Sequence, residues 1–219
     1  MIMSGNRVNR LGFWSAVALI VLEVVYIAAL AFEFGTQGFA FPPAPFVQTI
    51  AGVITILTGP VMIVLFAAIK YRFAEEDAIL GSLGLTFATL LVAMISINRF
   101  VQLTVIRTAP AAALTGDLAR FLPYASGSVM LALEELGWGF FLSLAALAVA
   151  PLFRGDRLQI SIRWVLVAIA VLSFMGLTGY ATASLLSLFG FIAWGPLLMV
   201  LGILLALFFR RPEYSSSSS

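Results

Sequence analysis

Six long apolar runs, separated by short polar connections, dominate the chain. Each run is long enough to cross the hydrocarbon core of a bilayer as a helix, which takes roughly 20 residues. None of them alternates between apolar and polar residues as the strands of a membrane barrel do. A helix satisfies its backbone hydrogen bonds within its own segment, so we expect an all-α, polytopic bundle of six transmembrane helices. The predicted spans are residues 11–34, 46–69, 78–106, 126–153, 160–188 and 191–209.

The distribution of lysine and arginine predicts the orientation of this bundle. With six spans both termini lie on one side, and nine of the 12 positively charged residues fall on that side. Because short cytoplasmic loops carry an excess of Lys and Arg, we expect cytoplasmic N- and C-termini in a bacterial inner membrane. Only Arg107 and Arg120 fall clearly on the opposite side. The nine are Arg7, Arg10, Lys70, Arg72, Arg154, Arg157, Arg163, Arg210 and Arg211.

Composition excludes several kinds of chemistry. Hydrophobic residues make up 62% of the chain and charged residues 10%, against about half and a quarter in a soluble domain. The chain has no cysteine and no histidine, which removes disulfides, Cys/His metal centres and Ser-His catalysis. Its single lysine, Lys70, lies at the end of a span. We therefore expect no metal and no cofactor, and a net charge of +2 gives no reason to expect nucleic acid.

The connections are too short to hold a soluble domain, so we expect one transmembrane domain over residues 1–214. Because Glu23 interrupts its apolar stretch, we expect the first span to be retained rather than cleaved as a signal peptide. The longest external connection includes a segment, 111–122, that predicts a short helix at the membrane surface. Residues 215–219 form a low-complexity serine tail that takes no part in the fold.

Polar side chains inside the predicted spans are concentrated at one depth. With a rise of about 1.5 Å per residue, Glu23 lies near the midplane and the others lie in the outer half. Ionisable groups within a membrane are costly, and they are usually functional or paired. This predicts a polar pocket in the outer half, above an apolar inner half. The candidate ligand-binding residues are Glu23, Tyr26, Asn98, Arg99, Gln102, Glu134, Glu135, Trp138 and Tyr180.

An ion pair is predicted between the third and fourth spans. Arg99 matches the depth of both Glu134 and Glu135, which point about 100° apart on one helix. One of them is expected to face Arg99 and the other a cavity. The alternative is that all three lie at the interface, where they reach water and act as a structural clasp. Pro60 and Pro196 lie within spans, where each frees a backbone carbonyl and predicts a kink.

Two resemblances accompany these patterns. The segment 132–153, ALEELGWGFFLSLAALAVAPLF, together with NRFVQLTV at 98–105, resembles uncharacterised six-span bacterial membrane proteins, which implies no activity. Leu131–Glu135, followed by Phe140 and Phe141, is also similar to membrane-bound lycopene cyclases, which carry a Pro-x-Glu-Glu motif followed by aromatic residues. The proline of that motif is absent here. The second resemblance implies an intramembrane enzyme that acts on isoprenoids.

Three functions remain open at this point. The first is a protein that binds or transports a small amphiphile or lipid, with Arg99 as anchor for an anionic group and Glu23 as proton or cation site. The second is an isoprenoid-modifying enzyme with a buried Glu as acid, which predicts two carboxyl groups facing one cavity. The third is an accessory or assembly subunit, which predicts no cavity and an apolar surface that matches a membrane protein partner or a second copy. Membrane lipids are expected partners in every case.

Overall fold

The computed structural model describes residues 5–38, 43–75, 77–123, 125 and 127–211. It is 87% helical, and the described residues contain no strand. Six helices are long and apolar enough to cross a membrane, which confirms the predicted all-α bundle. They are α1 (Gly5–Gln37), α2 (Pro45–Arg72), α3 (Ala78–Ile106), α4 (Val129–Leu152), α5 (Arg157–Ala181) and α6 (Leu185–Phe209).

The six helices close into a ring in chain order. Each helix packs against the next, and α6 packs against α1, mainly through its second half, Leu198–Phe209. Glycines bring some of these helices close together, since a Cβ on Gly202 would lie 2.9 Å from the side chain of Ile20. The outer faces of the ring are apolar, with Phe32 and Phe46 exposed by 66% and 70%. Such a surface is compatible with lipid rather than water as its solvent.

The end of the ring that carries both termini is tightly filled. Phe73, Phe153 and Phe208 form a buried aromatic cluster with ring centroids 5.0 to 5.8 Å apart. The guanidinium of Arg72 lies 5.7 Å above the ring of Phe208, where the electron-rich face attracts a cation. At the surface of this end, Arg211 pairs with Asp156. The apolar half predicted on the side of the termini is therefore present as a packed core.

At the opposite end of the ring, a side chain of α1 binds the backbone just before α2. The side chain of Glu33, on the last turns of α1, is buried and accepts a hydrogen bond from the backbone N–H of Ala44 at 2.8 Å. Ala44 immediately precedes α2, so the carboxylate also lies near the positive end of that helix dipole. Glu33 therefore anchors the connection between α1 and α2, a role that its position in the sequence did not reveal.

The boundary between the fifth and sixth spans was predicted wrongly. We expected helices over 160–188 and 191–209, whereas α5 ends at Ala181 and α6 begins at Leu185. Ala183 adopts a left-handed φ of 50°. The N–H of Ser184 donates to the carbonyl of Gly179 at 2.9 Å, and that of Ala183 donates to Tyr180 at 3.2 Å. These two bonds form a Schellman cap, which ends the helix without a glycine at the left-handed position.

Two small residues make this reversal tight. A Cβ on Gly179 would lie 1.9 Å from the backbone nitrogen of Ser187, and one on Gly176 would lie 2.8 Å from the Cα of Gly190. These glycines therefore permit close contact between the two helices.

The predicted surface helix over 111–122 is interrupted. The structure has a helix at Ala111–Thr115 and a separate 3-10 turn at Ala119–Phe121. Gly116 lies between them, and glycine costs about 1 kcal/mol relative to alanine inside a helix. Asp77 caps α3, because its side chain accepts a hydrogen bond from the N–H of Leu80 at 3.1 Å. The serine tail at 215–219 lies outside the described residues.

Candidate functional site

A cavity of about 230 Å³ lies inside the ring, in the half away from the chain termini. All six helices contribute to its lining. Seven of the nine candidate residues line it: Glu23, Tyr26, Arg99, Glu134, Glu135, Trp138 and Tyr180. The rest of the lining consists of Ile54, Thr55, Thr58, Leu131, Ser187, Phe191, Trp194 and Gly195.

Arg99 and Glu134 form a buried ion pair on one side of this cavity. Their side chains are exposed by only 6% and 12%. The guanidinium of Arg99 also donates to Oε1 of Gln102 at 2.9 Å. Asn98 donates from Nδ2 to Oε2 of Glu134 at 3.1 Å, and Gln102 donates to Asn98. These four residues, which we call the α3–α4 network, satisfy one another and bury a charge pair at reduced cost.

The network settles which acidic residue faces Arg99, because Glu134 rather than Glu135 is the partner. It also argues against the interfacial alternative, since Asn98, Arg99 and both glutamates are at most 9% exposed. Asn98 does not line the cavity, but its side chain donates a hydrogen bond to Glu134, which does. Gln102 likewise reaches the cavity only through its bonds to Arg99 and Asn98.

Unlike Glu134, Glu23 and Glu135 form no ion pair among the described residues. They are exposed by only 4% and 8%, and both line the cavity. Among the described residues, the Oε2 atom of each has no hydrogen-bond partner. A buried carboxyl oxygen without a partner loses its interactions with water and gains nothing in return. These two groups are therefore available to anything that enters the cavity.

Three hydroxyl groups in the lining were not predicted. Thr55 and Thr58 donate to the carbonyls of Ala51 and Ile54 on their own helix, at 2.8 and 3.0 Å. Ser187 donates to the carbonyl of Ser184 at 3.1 Å. Each hydroxyl group donates its hydrogen to a backbone carbonyl, and its oxygen atom can still accept a hydrogen bond. Single threonines in an apolar span are common, so their spacing alone gave no signal of a site.

Aromatic rings form a second part of the lining. The rings of Trp138 and Trp194 have centroids 6.3 Å apart. Trp194 donates from Nε1 to the carbonyl of Trp138 at 3.1 Å and to Oγ of Ser173 at 3.0 Å. These bonds hold Trp194 against α4 and α5. Trp194 both packs against these helices and lines the cavity.

Three turns of π-helix surround the site. They are Gln102–Ile106 in α3, Leu136–Phe141 in α4 and Ala193–Leu197 in α6. Each adjoins or contains a residue of the network or the cavity lining. A π turn inserts an extra residue, which shifts the direction of the side chains that follow, and such turns are frequent at functional sites. Pro196 lies within one of them, so the predicted kink takes the form of a π turn there.

A wider groove of about 1,010 Å³ lies beyond the network. It is lined by the start of α2, the end of α3 and the connection that follows α3. Gln102 lines this groove, while its partner Arg99 lines the cavity. The hydrogen bond from Arg99 to Gln102 therefore connects the lining of the cavity with that of the groove.

Comparisons with protein-family models, curated proteins and solved structures give no significant match for this chain. The resemblances to six-span bacterial membrane proteins and to lycopene cyclases therefore stay predictions. The cavity is therefore the feature from which a function can be inferred.

Proposed function

We propose that this chain is an integral membrane protein that binds a small amphiphile in the cavity between its six helices. Glu23 carries this proposal. Its carboxyl group is buried in the middle of a long apolar helix, lines the cavity and has an oxygen without a hydrogen-bond partner among the described residues. A protein gains no stability from such a group, so its presence is best explained by a ligand that the group contacts.

In this proposal the termini face the cytoplasm and the cavity lies in the outer half of the bilayer. The support is the excess of Lys and Arg at the end of the ring that carries both termini. The cavity then opens to molecules that reach the outer leaflet. A reporter fused at residue 114 should be external, and a cytoplasmic reporter there would contradict this orientation.

The test of binding is native mass spectrometry of the protein in mild detergent. We expect a discrete small-molecule adduct on the wild-type chain, with less adduct on Glu23→Gln and Arg99→Ala. Glu75→Gln is the matched control, because Glu75 lies in the turn after α2, outside the cavity lining. Equal adducts on wild type and Glu23→Gln, with both folded, would contradict a ligand at Glu23.

A second candidate is an intramembrane enzyme that uses a carboxyl group as acid. The observation in its favour is that Glu23 and Glu135 line one cavity, and neither forms an ion pair within the described residues. Acid catalysis on an isoprenoid would protonate one C=C bond and later remove a proton, so the substrate would be isomerised or cyclised. Incubation with lycopene in nanodiscs tests this directly. Conversion by wild type that is lost in Glu23→Gln would favour the enzyme over simple binding.

The third function, an accessory subunit, has less support. It predicts a ring without a cavity, whereas the described residues enclose one of about 230 Å³. The apolar outer faces are those that lipid alone would require.

A further inference from the structure

We propose that the head group held in the cavity is an organic cation, an ammonium group carried by a small amphiphile. This inference rests on the proposed binding function and names the chemical class of its ligand. It revises the sequence-based expectation that Arg99 anchors an anionic group.

The charged side chains of the cavity lining favour a cation. The described lining contains three carboxyl groups, of Glu23, Glu134 and Glu135, and one positively charged side chain, Arg99. Arg99 is already held by Glu134 and by Gln102. An anion would therefore compete with Glu134 for Arg99 and would lie close to two further carboxyl groups. A cation meets the opposite situation, because the Oε2 atoms of Glu23 and Glu135 accept no hydrogen bond from the described residues.

The direction of the hydrogen bonds made by the lining hydroxyls favours a ligand that donates. The hydroxyls of Thr55, Thr58 and Ser187 all donate to backbone carbonyls. They present oxygen lone pairs, rather than hydrogens, to the cavity. The indole N–H of Trp194 is also used, since it donates to Trp138 and Ser173. These three hydroxyl oxygens and the Oε2 atoms of Glu23 and Glu135 can accept hydrogen bonds, which suits a ligand that donates.

The aromatic rings of the lining also favour an organic cation. Tyr26, Trp138, Tyr180, Phe191 and Trp194 line the same cavity as the two carboxyl groups. The face of an aromatic ring attracts a cation, and the attraction is stronger where water is excluded. Rings combined with carboxylates favour an organic cation over a hard metal ion, which requires about six or more oxygen ligands.

The size of the cavity limits what it can hold. An engineered apolar cavity of about 150 Å³ admits benzene, whereas drug-sized ligands occupy about 300 Å³ or more. A cavity of about 230 Å³ lies between these values. It is large enough for an ammonium group with a short apolar attachment. A longer tail would have to extend out of the cavity.

The experiment compares ligands that share one tail and differ in head group. Hexylammonium, hexyltrimethylammonium, hexanol and hexanoate are titrated by calorimetry into the protein in nanodiscs of neutral lipid. Glu23→Gln and Glu135→Gln test the two carboxyl groups, and Glu75→Gln is the control. Thermal unfolding of every variant checks that it is folded. The double variant, Glu23→Gln with Glu135→Gln, gives the background from partitioning into lipid.

We expect saturable binding of both ammonium compounds to wild type and to Glu75→Gln. Each glutamine variant should weaken the binding of hexylammonium by roughly tenfold to a hundredfold, the value of a hydrogen bond to a charged group. Hexyltrimethylammonium has no N–H to donate, so its binding should weaken only through the loss of the carboxylate charge. Hexanoate or hexanol binding as tightly as hexylammonium would overturn the cation inference and leave the binding function intact. No saturable binding of any compound to the folded wild type would count against both.

Discussion

The α3–α4 network predicts a strong energetic coupling between Arg99 and Glu134. Loss of one member of a buried ion pair leaves the other charge uncompensated, which costs about 3–5 kcal/mol. Asn98 and Gln102 still offer hydrogen bonds to whichever charge remains, so we take the lower end. Arg99→Met and Glu134→Leu should each lower the free energy of unfolding by about 3 kcal/mol.

The double variant should lose little more than either single variant, because no uncompensated charge remains. The coupling energy between the two positions is then about 2–3 kcal/mol. Unfolding is followed by tryptophan fluorescence during titration with a denaturing detergent, since Trp138 lies beside the network in the cavity lining.

The chain provides a matched control in the ion pair of Arg211 with Asp156, whose side chains are 52% and 49% exposed. Solvent screens such a pair, so its coupling should be close to zero. If the effects of Arg99→Met and Glu134→Leu simply add, as at the surface pair, then the network is not a buried charge pair and the reasoning is refuted.

Three further predictions follow from single residues. Glu23→Leu and Glu135→Leu should each raise the free energy of unfolding of the ligand-free protein by about 1–3 kcal/mol, because an apolar side chain replaces a buried carboxyl oxygen without a hydrogen-bond partner; a loss of stability in either would mean that the carboxyl has a structural partner. Ala183→Gly should stabilise the protein by about 0.5–1 kcal/mol in thermal unfolding, because it relieves the left-handed backbone at φ 50°, and an unchanged melting temperature would refute this. A hydrogen bond from the backbone of Gln159, assisted by Arg211, lowers the pKa of Asp156. The stabilising contribution of the Asp156 carboxylate is therefore present at neutral pH and lost as the pH falls through that lowered pKa. Asp156→Asn should lower the melting temperature at neutral pH but not in strong acid, and an equal decrease in melting temperature at both would contradict the assignment.

The helices and the depth of the site were predictable because both depend on simple distributions. Runs of apolar residues mark the helices, and the rise per residue gives each polar group its depth. Seven candidate residues consequently meet at one cavity. Whether Glu134 or Glu135 faces Arg99 was not predictable, since two adjacent positions differ only in helix rotation and a π turn follows at Leu136.

Other features depend on contacts that a sequence pattern does not contain. The turn at Thr182–Ser184 contains neither glycine nor proline, and it is formed by backbone hydrogen bonds and by close approach at Gly179. Thr55 and Thr58 belong to the site only because α2 closes the ring beside α1 and α3. The same closure buries Glu33 against the start of α2.

The most direct test of the central claim is chemical access to the cavity. The chain contains no cysteine, so Thr58→Cys places a single thiol in the lining, and Thr89→Cys places one on the exposed face of α3. Aminoethyl methanethiosulfonate, a cation, should modify Thr58→Cys at least about tenfold faster than the anionic sulfonatoethyl reagent, because the carboxyl groups concentrate cations in the cavity. Thr89→Cys, surrounded by lipid, should react slowly with both. A folded Thr58→Cys protein that is as inert as Thr89→Cys, or that prefers the anionic reagent, would contradict an accessible, cation-selective cavity.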